Sequence, residues 1–179
     1  MRLTLAVLLI AVLSLTVAHA APLTLQASDD AMGKTIGKFM QDVHQISFDQ
    51  KPDKEGPDVT LLRTQKGGKV ADFPFVIVTM PYAKDDGGKV TARMVVLMVI
   101  SGIKVPDAKR GAVLEAMNKL NDDNDYTHLY IDSDNEIAFR WALVVTGSGL
   151  SAESVWDTYA GMLPAWEAAG EVLNKVIGK

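Results

Sequence analysis

The stretch Tyr126–Val145, YTHLYIDSDNEIAFRWALVV, decides the fold. Tyr126 to Ile131 and Ile137 to Val145 each read as a β-strand. Between them Asp132-Ser133-Asp134-Asn135-Glu136 reads as a hairpin loop, because short polar side chains bond nearby backbone and favour turns. Side chains alternate across a strand, so Ile137, Phe139, Trp141, Leu143 and Val145 share a face. With Ile131 opposite Ile137, Leu129 opposes Phe139 and Thr127 opposes Trp141, and this side reads as core. The other side carries Tyr126, His128 and Tyr130 against Ala142, Arg140 and Ala138. It is amphipathic, and Tyr126, His128, Tyr130 and Arg140 are the candidate partner-binding residues.

Working outward, Pro106-Asp107 has the chemistry of a helix start: proline has no N–H to leave unpaired, and aspartate suits the positive end of the helix dipole. Val113, Leu114, Met117 and Leu120 follow at helical spacing, and the Asn- and Asp-rich run from Asn118 to Asp125 ends the helix. On the C-terminal side Gly147 to Leu150 turns the chain, and Ser151 caps a last helix with Glu153 in its first turn. Val155, Tyr159, Met162, Leu163, Trp166, Leu173, Val176 and Ile177 form its apolar stripe, and Pro164 predicts a kink near Gly161 to Pro164.

Four features together resemble the YbjN family: Val105-Pro106-Asp107, the pair Asn118 and Asn121, Tyr130-Ile131-Asp132-Ser133-Asp134, and Gly149-Leu150-Ser151. Members are labelled bacterial sensory-transduction regulators, and their fold is similar to the type III secretion chaperones. The likeness is best from Pro106 to about Trp166. The hairpin departs from the family's pattern, with Asn135-Glu136 where Asp-Gly is usual. The resemblance implies a regulatory or chaperone-like protein that binds a partner on its sheet or at a sheet edge.

Upstream, Ala21 to Ala27 reads as a leader, and Ser28-Asp29-Asp30 opens a helix with Met32, Ile36, Phe39, Met40 and Val43 on its apolar face. Asp49 to Pro57 reads as a charged loop. Val59 to Thr64, Val70 to Met80 and Val90 to Ile100 read as strands, separated by glycine-bearing turns that favour antiparallel pairing. Pro74 places the second of these at an edge or a bulge. Apolar residues on both parities from Met94 to Ile100 predict a central strand with both faces at least partly covered. The expected fold is therefore α+β and two-layered. It has an antiparallel five-stranded sheet and three helices in the order α-β-β-β-α-β-β-α, as in a type III secretion chaperone-like domain.

Met1-Arg2 followed by an apolar run of about fifteen residues and Ala18-His19-Ala20 reads as a signal peptide cut after Ala20. Residues 1–20 are thus expected to be removed, leaving 21–179 as a single domain, periplasmic or secreted, with no stable membrane insertion. The chain has no cysteine, which excludes disulfides and thiol chemistry. Its net charge of −4 and scattered basic residues exclude the basic stripe that nucleic-acid binding requires.

Several motifs fail on spacing. Gly33-Lys34-Thr35 has Ser28 where a phosphate loop needs its first glycine. Asp132, Asp134 and Glu136 begin like a calcium loop, but Ile137 and Leu143 occupy the positions of its glycine and final glutamate. His44 and His128 are too few for zinc, and Ser148 lacks the flanking pattern of a nucleophile elbow. Met80, Met94, Met98, Met117 and Met162 are expected to fill core rather than line a contact surface. The expected function is an exported, non-enzymatic protein-binding module, without metal or cofactor, acting on a protein partner or on a second copy as a homodimer. The alternative is a small apolar-ligand or lipid carrier with a cavity lined by Met94, Met98, Phe139 and Trp141.

Overall fold

Val90–Lys104, apolar over most of its 15 residues, forms the longest strand of the chain and the middle of its main sheet. The computed structural model describes residues 22–54, 58–123 and 128–178. In chain order these form β1 (Thr24–Leu25), α1 (Met32–His44), β2 (Asp49–Pro52), β3 (Val59–Gln65), β4 (Phe73–Lys84), β5 (Val90–Lys104), α2 (Arg110–Asp123), β6 (Leu129–Ile131), β7 (Glu136–Val145), β8 (Leu150–Ser151) and α3 (Ala152–Ile177). A single 3-10 turn, Asp107–Lys109, leads from Pro106 into α2. The fold class is α+β, as expected, with three α-helices among the described residues.

The main sheet has six strands in the order β2-β3-β4-β5-β7-β6, all antiparallel, and β1 pairs with β8 as a separate small ribbon. The expected five strands fall short by β2. Its sequence, Asp49-Gln50-Lys51-Pro52, is wholly exposed and carries charge and a proline, as edge strands do to discourage further pairing. That composition reads as loop. A second difference concerns Pro74, which lies in an interior strand, opposite Thr64 one residue from the start of β4. Close to a strand end the missing N–H removes little of the ladder.

The pleat sorts the sheet into two unlike faces. Phe73, Phe75 and Ile77 of β4, Val95, Leu97 and Val99 of β5, and Ile137, Phe139 and Val145 of β7 are buried in one core. Met32, Ile36, Phe39 and Met40 of α1, Val113 and Met117 of α2, and Val155, Tyr159, Met162, Trp166 and Leu173 of α3 complete it. All three helices therefore cover the odd-numbered face. Trp166 stacks with Phe139 at 6.2 Å and meets Phe73 edge-on at 6.0 Å. The hairpin register agrees with the sequence reading: Ile131 opposes Ile137 and Leu129 opposes Phe139. Trp141 and Leu143 are half-buried against the core rather than sealed in it, and Leu114 of α2 is exposed. The α3 helix starts at the Ser151 cap, whose hydroxyl accepts the Glu153 N–H at 3.2 Å, and runs through Pro164 to Ile177 without a break.

One polar cluster is buried inside the apolar layer. The Asp58 carboxylate accepts N–H groups from Gly33 at 2.6 Å and Val59 at 2.8 Å, together with the Thr79 hydroxyl. Arg93 approaches it to 4.0 Å, donates to the Ala27 carbonyl at 3.0 Å and pairs with Asp30. A Cβ at position 33 would overlap the Val59 carbonyl and lie 2.5 Å from Asp58 Oδ1, so only glycine lets α1 seat here. Gly33 is therefore a packing residue, and so is Gly37, whose Cβ would meet Leu61 at 3.0 Å.

Candidate protein-contact surface

Since the helices take the odd-numbered face, the even-numbered side chains of β4, β5 and β7 point the other way, where no described helix covers them. Strand pairing places Val76 beside Met98, Val78 beside Val96 and Met80 beside Met94. On the far side of β5, Met98 lies opposite Arg140, Val96 opposite Ala142 and Met94 opposite Val144. The result is a continuous apolar sheet surface. Val76 and Val96 are shielded by their neighbours on it, whereas Met80, Ile100 and Val144 keep 37%, 47% and 46% of their surface open.

This overturns two expectations. The run of both parities in β5 predicted cover on both faces, yet one face lies open. Met80, Met94 and Met98 were expected in core and instead stand on the open face, while Met117 and Met162 are core. The same pleat separates the proposed carrier lining: Met94 and Met98 belong to the open face, Phe139 and Trp141 to the helical one. The four do not line one cavity.

Three of the four candidate contact residues come together at one end of this face. The Arg140 N–H donates to the His128 carbonyl at 3.2 Å, which sets the two residues side by side. Arg140 also reaches diagonally over the Tyr130 ring, 5.1 Å from its centroid, a cation–π contact. The His128 and Tyr130 rings lie 6.2 Å apart. Tyr126 lies outside the described residues. Beside Tyr130 is a shallow pocket of about 140 Å³ with apolar walls from Met98, Ile100 and Ala138 and a polar end from Asp132 and Glu136.

Both edges of the main sheet discourage an incoming strand. At the β6 edge the Asn121 side chain donates to the Leu129 carbonyl at 3.1 Å and accepts its N–H at 2.9 Å, so α2 supplies what a neighbouring strand would. That explains why an asparagine stands at this point of the helix. The β2 edge is short, charged and ends in Pro52.

The remaining candidate groups have structural employment. Asp132 Oδ1 accepts the N–H groups of Asp134 at 3.0 Å and Glu136 at 2.9 Å, which folds the hairpin. Asn135 takes a left-handed φ of 61° and ties the turn to the Val105 carbonyl at 2.6 Å. Ser148 pairs with Thr146 at 2.9 Å in an exposed turn, and His44 stacks on Trp156 at 3.9 Å, on the helical side. No group of three metal-ligating side chains occurs among the described residues, and no described helix is long and apolar enough to cross a membrane.

Residues 90–158 match the family model of YbjN, whose description is "Putative bacterial sensory transduction regulator". That description is of a regulator and names no enzymatic activity. No curated protein matches the chain. Among solved structures it is similar to the crystal structure of YbjN from E. coli, described as "a putative transcription regulator". The two share 13% identity over 80% of this chain and 86% of that one, with a TM-score of 0.38. From β5 to the first turns of α3, residues 90–158, the chain is therefore similar to the YbjN family.

Proposed function

We propose that this protein is a non-enzymatic protein-binding module, a regulatory adaptor or chaperone, whose contact surface is the helix-free face of the main sheet. The observation that carries the reading is the exposure of Met80, Ile100 and Val144 on one apolar surface while all three helices pack on the other. Exposed apolar surface of this extent costs free energy in water and marks interaction sites. Methionines suit such a role because their unbranched, polarisable side chains adapt to a partner. Tyr130, His128 and Arg140 add an amphipathic, directional end, of the residue types enriched where proteins meet. Tyr126 is the fourth member proposed for that end.

The partner is a polypeptide, docked on the face and not added to an edge. Site-specific photo-crosslinking tests this in the living source cell. A photoreactive residue at Met98 is expected to give a discrete polypeptide adduct, and the same residue at Leu114 on α2 is expected to give none. Equal labelling from the two positions, or no protein adduct from Met98, contradicts the proposal.

The module works outside the cytoplasm, exported on Met1–Ala20 and acting as one unit from Ala21. The basic start, the short apolar run and Ala18-His19-Ala20 support this reading. Intact-mass measurement of the protein from cell fractions tests it. A chain starting at Ala21 in the periplasm or medium is expected, and a full-length chain confined to the cytoplasm contradicts export.

A further inference from the structure

We infer that the pocket beside Tyr130 is a socket for a lysine side chain of the docked polypeptide, with the methylene stem on its apolar walls and the ammonium at its Asp132 and Glu136 end. The inference rests on the reading of the open face as a contact surface and names the group that the face recognises.

The ladder builds the socket. Ile100 lies opposite Ala138, and Ala138 lies beside Tyr130, so the walls are a cross-strand row on the open face. The Asp132 N–H donates to the Glu136 carbonyl at 2.9 Å, which carries the pairing one step beyond Ile131 and Ile137. Two carboxylates are thereby set directly opposite each other, an arrangement that destabilises a sheet unless a cation joins it. Asp132 Oδ1 is used by the turn, but its second oxygen and the Glu136 carboxylate take no hydrogen bond or ion pair from any described residue. Both residues are half-buried, which strengthens the repulsion.

The chain's own cations are held elsewhere. Arg110 bonds the Asn135 side chain, and Arg140 lies over the Tyr130 ring, 5.1 Å from its centroid. Lys104 is paired with Glu136 in the ladder, yet it is exposed and forms no ion pair with a described residue. No basic side chain lines the pocket. Two carboxylates are also fewer than a metal site needs, and no third ligand joins them among the described residues.

Shape selects lysine among cations. Its stem buries along apolar surface while its head seeks a polar end, and this pocket offers the two in that order. The four groups from Cγ to Nζ, at about 30 Å³ each, need about 120 Å³. The pocket holds about 140 Å³. The six groups of an arginine beyond Cβ need about 180 Å³ and overfill it.

The test traps the partner first. A photoreactive residue at Val144, on the same face but outside the pocket, is introduced into the full chain in the source cell. Carbodiimide applied to the purified adduct then joins a carboxylate to any amine in contact with it. Peptide mapping is expected to find Glu136 or Asp132 amide-linked to a lysine of the trapped polypeptide. Glu136→Gln is expected to lower adduct yield about threefold to tenfold with unchanged melting. Glu115→Gln, at an exposed position on α2, is expected to leave the yield as it was. Three results overturn the socket and leave the binding module standing: an adduct without this link, a link only to Lys104 of the same chain or to a small free amine, or an adduct that forms as well with Glu136→Gln. No polypeptide adduct from either Met98 or Val144 removes both.

Discussion

Met80 of β4 and Met94 of β5 are direct cross-strand partners on the face of the sheet that no described helix covers. Two flexible apolar side chains are thus held side by side at the surface by a rigid ladder. Met98 extends the pair along β5, and Arg140 with Tyr130 marks the far end. A binding surface of this kind needs no moving part. The sheet is fixed from behind by the aromatic packing of Phe75, Phe139, Tyr159 and Trp166.

Opposite faces of one strand give the sharpest mutational contrast. Phe139 is fully buried and stacked on Trp166, so Phe139→Ala is expected to cost about 3–5 kcal/mol. Val144, nearly half exposed, is expected to tolerate lysine within about 0.5 kcal/mol. Urea denaturation of both variants checks this. A Val144→Lys loss as large as that of Phe139→Ala would mean that the outer face is covered.

The buried cluster around Asp58 holds α1 to the sheet. Asp58→Ala leaves the Gly33 and Val59 N–H groups without their acceptor and takes one carboxylate from a buried arginine. Asp30, which is largely exposed, remains for Arg93, so the expected loss is about 2–4 kcal/mol. Equilibrium unfolding in urea measures it, and a loss below about 1 kcal/mol would deny the cluster its structural role.

Tyr159 makes stability sensitive to alkali. Burial pushes its phenol above the ordinary value of 10.0, against the opposing pull of Arg63 and of the Gln65 hydrogen bond. The folded state therefore favours the neutral phenol. Its contribution is whole below the unfolded value and is lost as pH rises above about 10 through the folded value. Tyr159→Phe is expected to lose less stability than wild type between about pH 9 and pH 11, read from urea midpoints in the two buffers. Parallel losses in the two proteins would contradict the burial argument.

The hairpin was the most legible part of the chain. Asp132, Asn135 and the alternation from Ile137 to Val145 announce turn, register and face by local chemistry alone. The last helix was equally plain from Ser151 and its apolar stripe. Strand β2 was hidden because an edge strand is composed to look unlike one. The open face was hidden for a different reason. Met94, Val96 and Met98 look like core in any sequence, and only the placement of all three helices on one side leaves them uncovered. Asn121 read as a helix terminator, and its hydrogen bonds to Leu129 emerge only once β6 folds back beside α2. Of the candidate site, the pairing of His128 and Tyr130 with Arg140 and Ala138 was legible, and the larger methionine-rich field beside it was not.

Native mass spectrometry of the protein purified from its own source, alongside Met98→Lys, tests the contact-surface reading most directly. A wild-type species heavier than one chain by a whole polypeptide, its own or another, is the predicted result, with Met98→Lys appearing as a bare single chain. Wild type appearing as a lone chain, or both proteins carrying the same added mass, would contradict it.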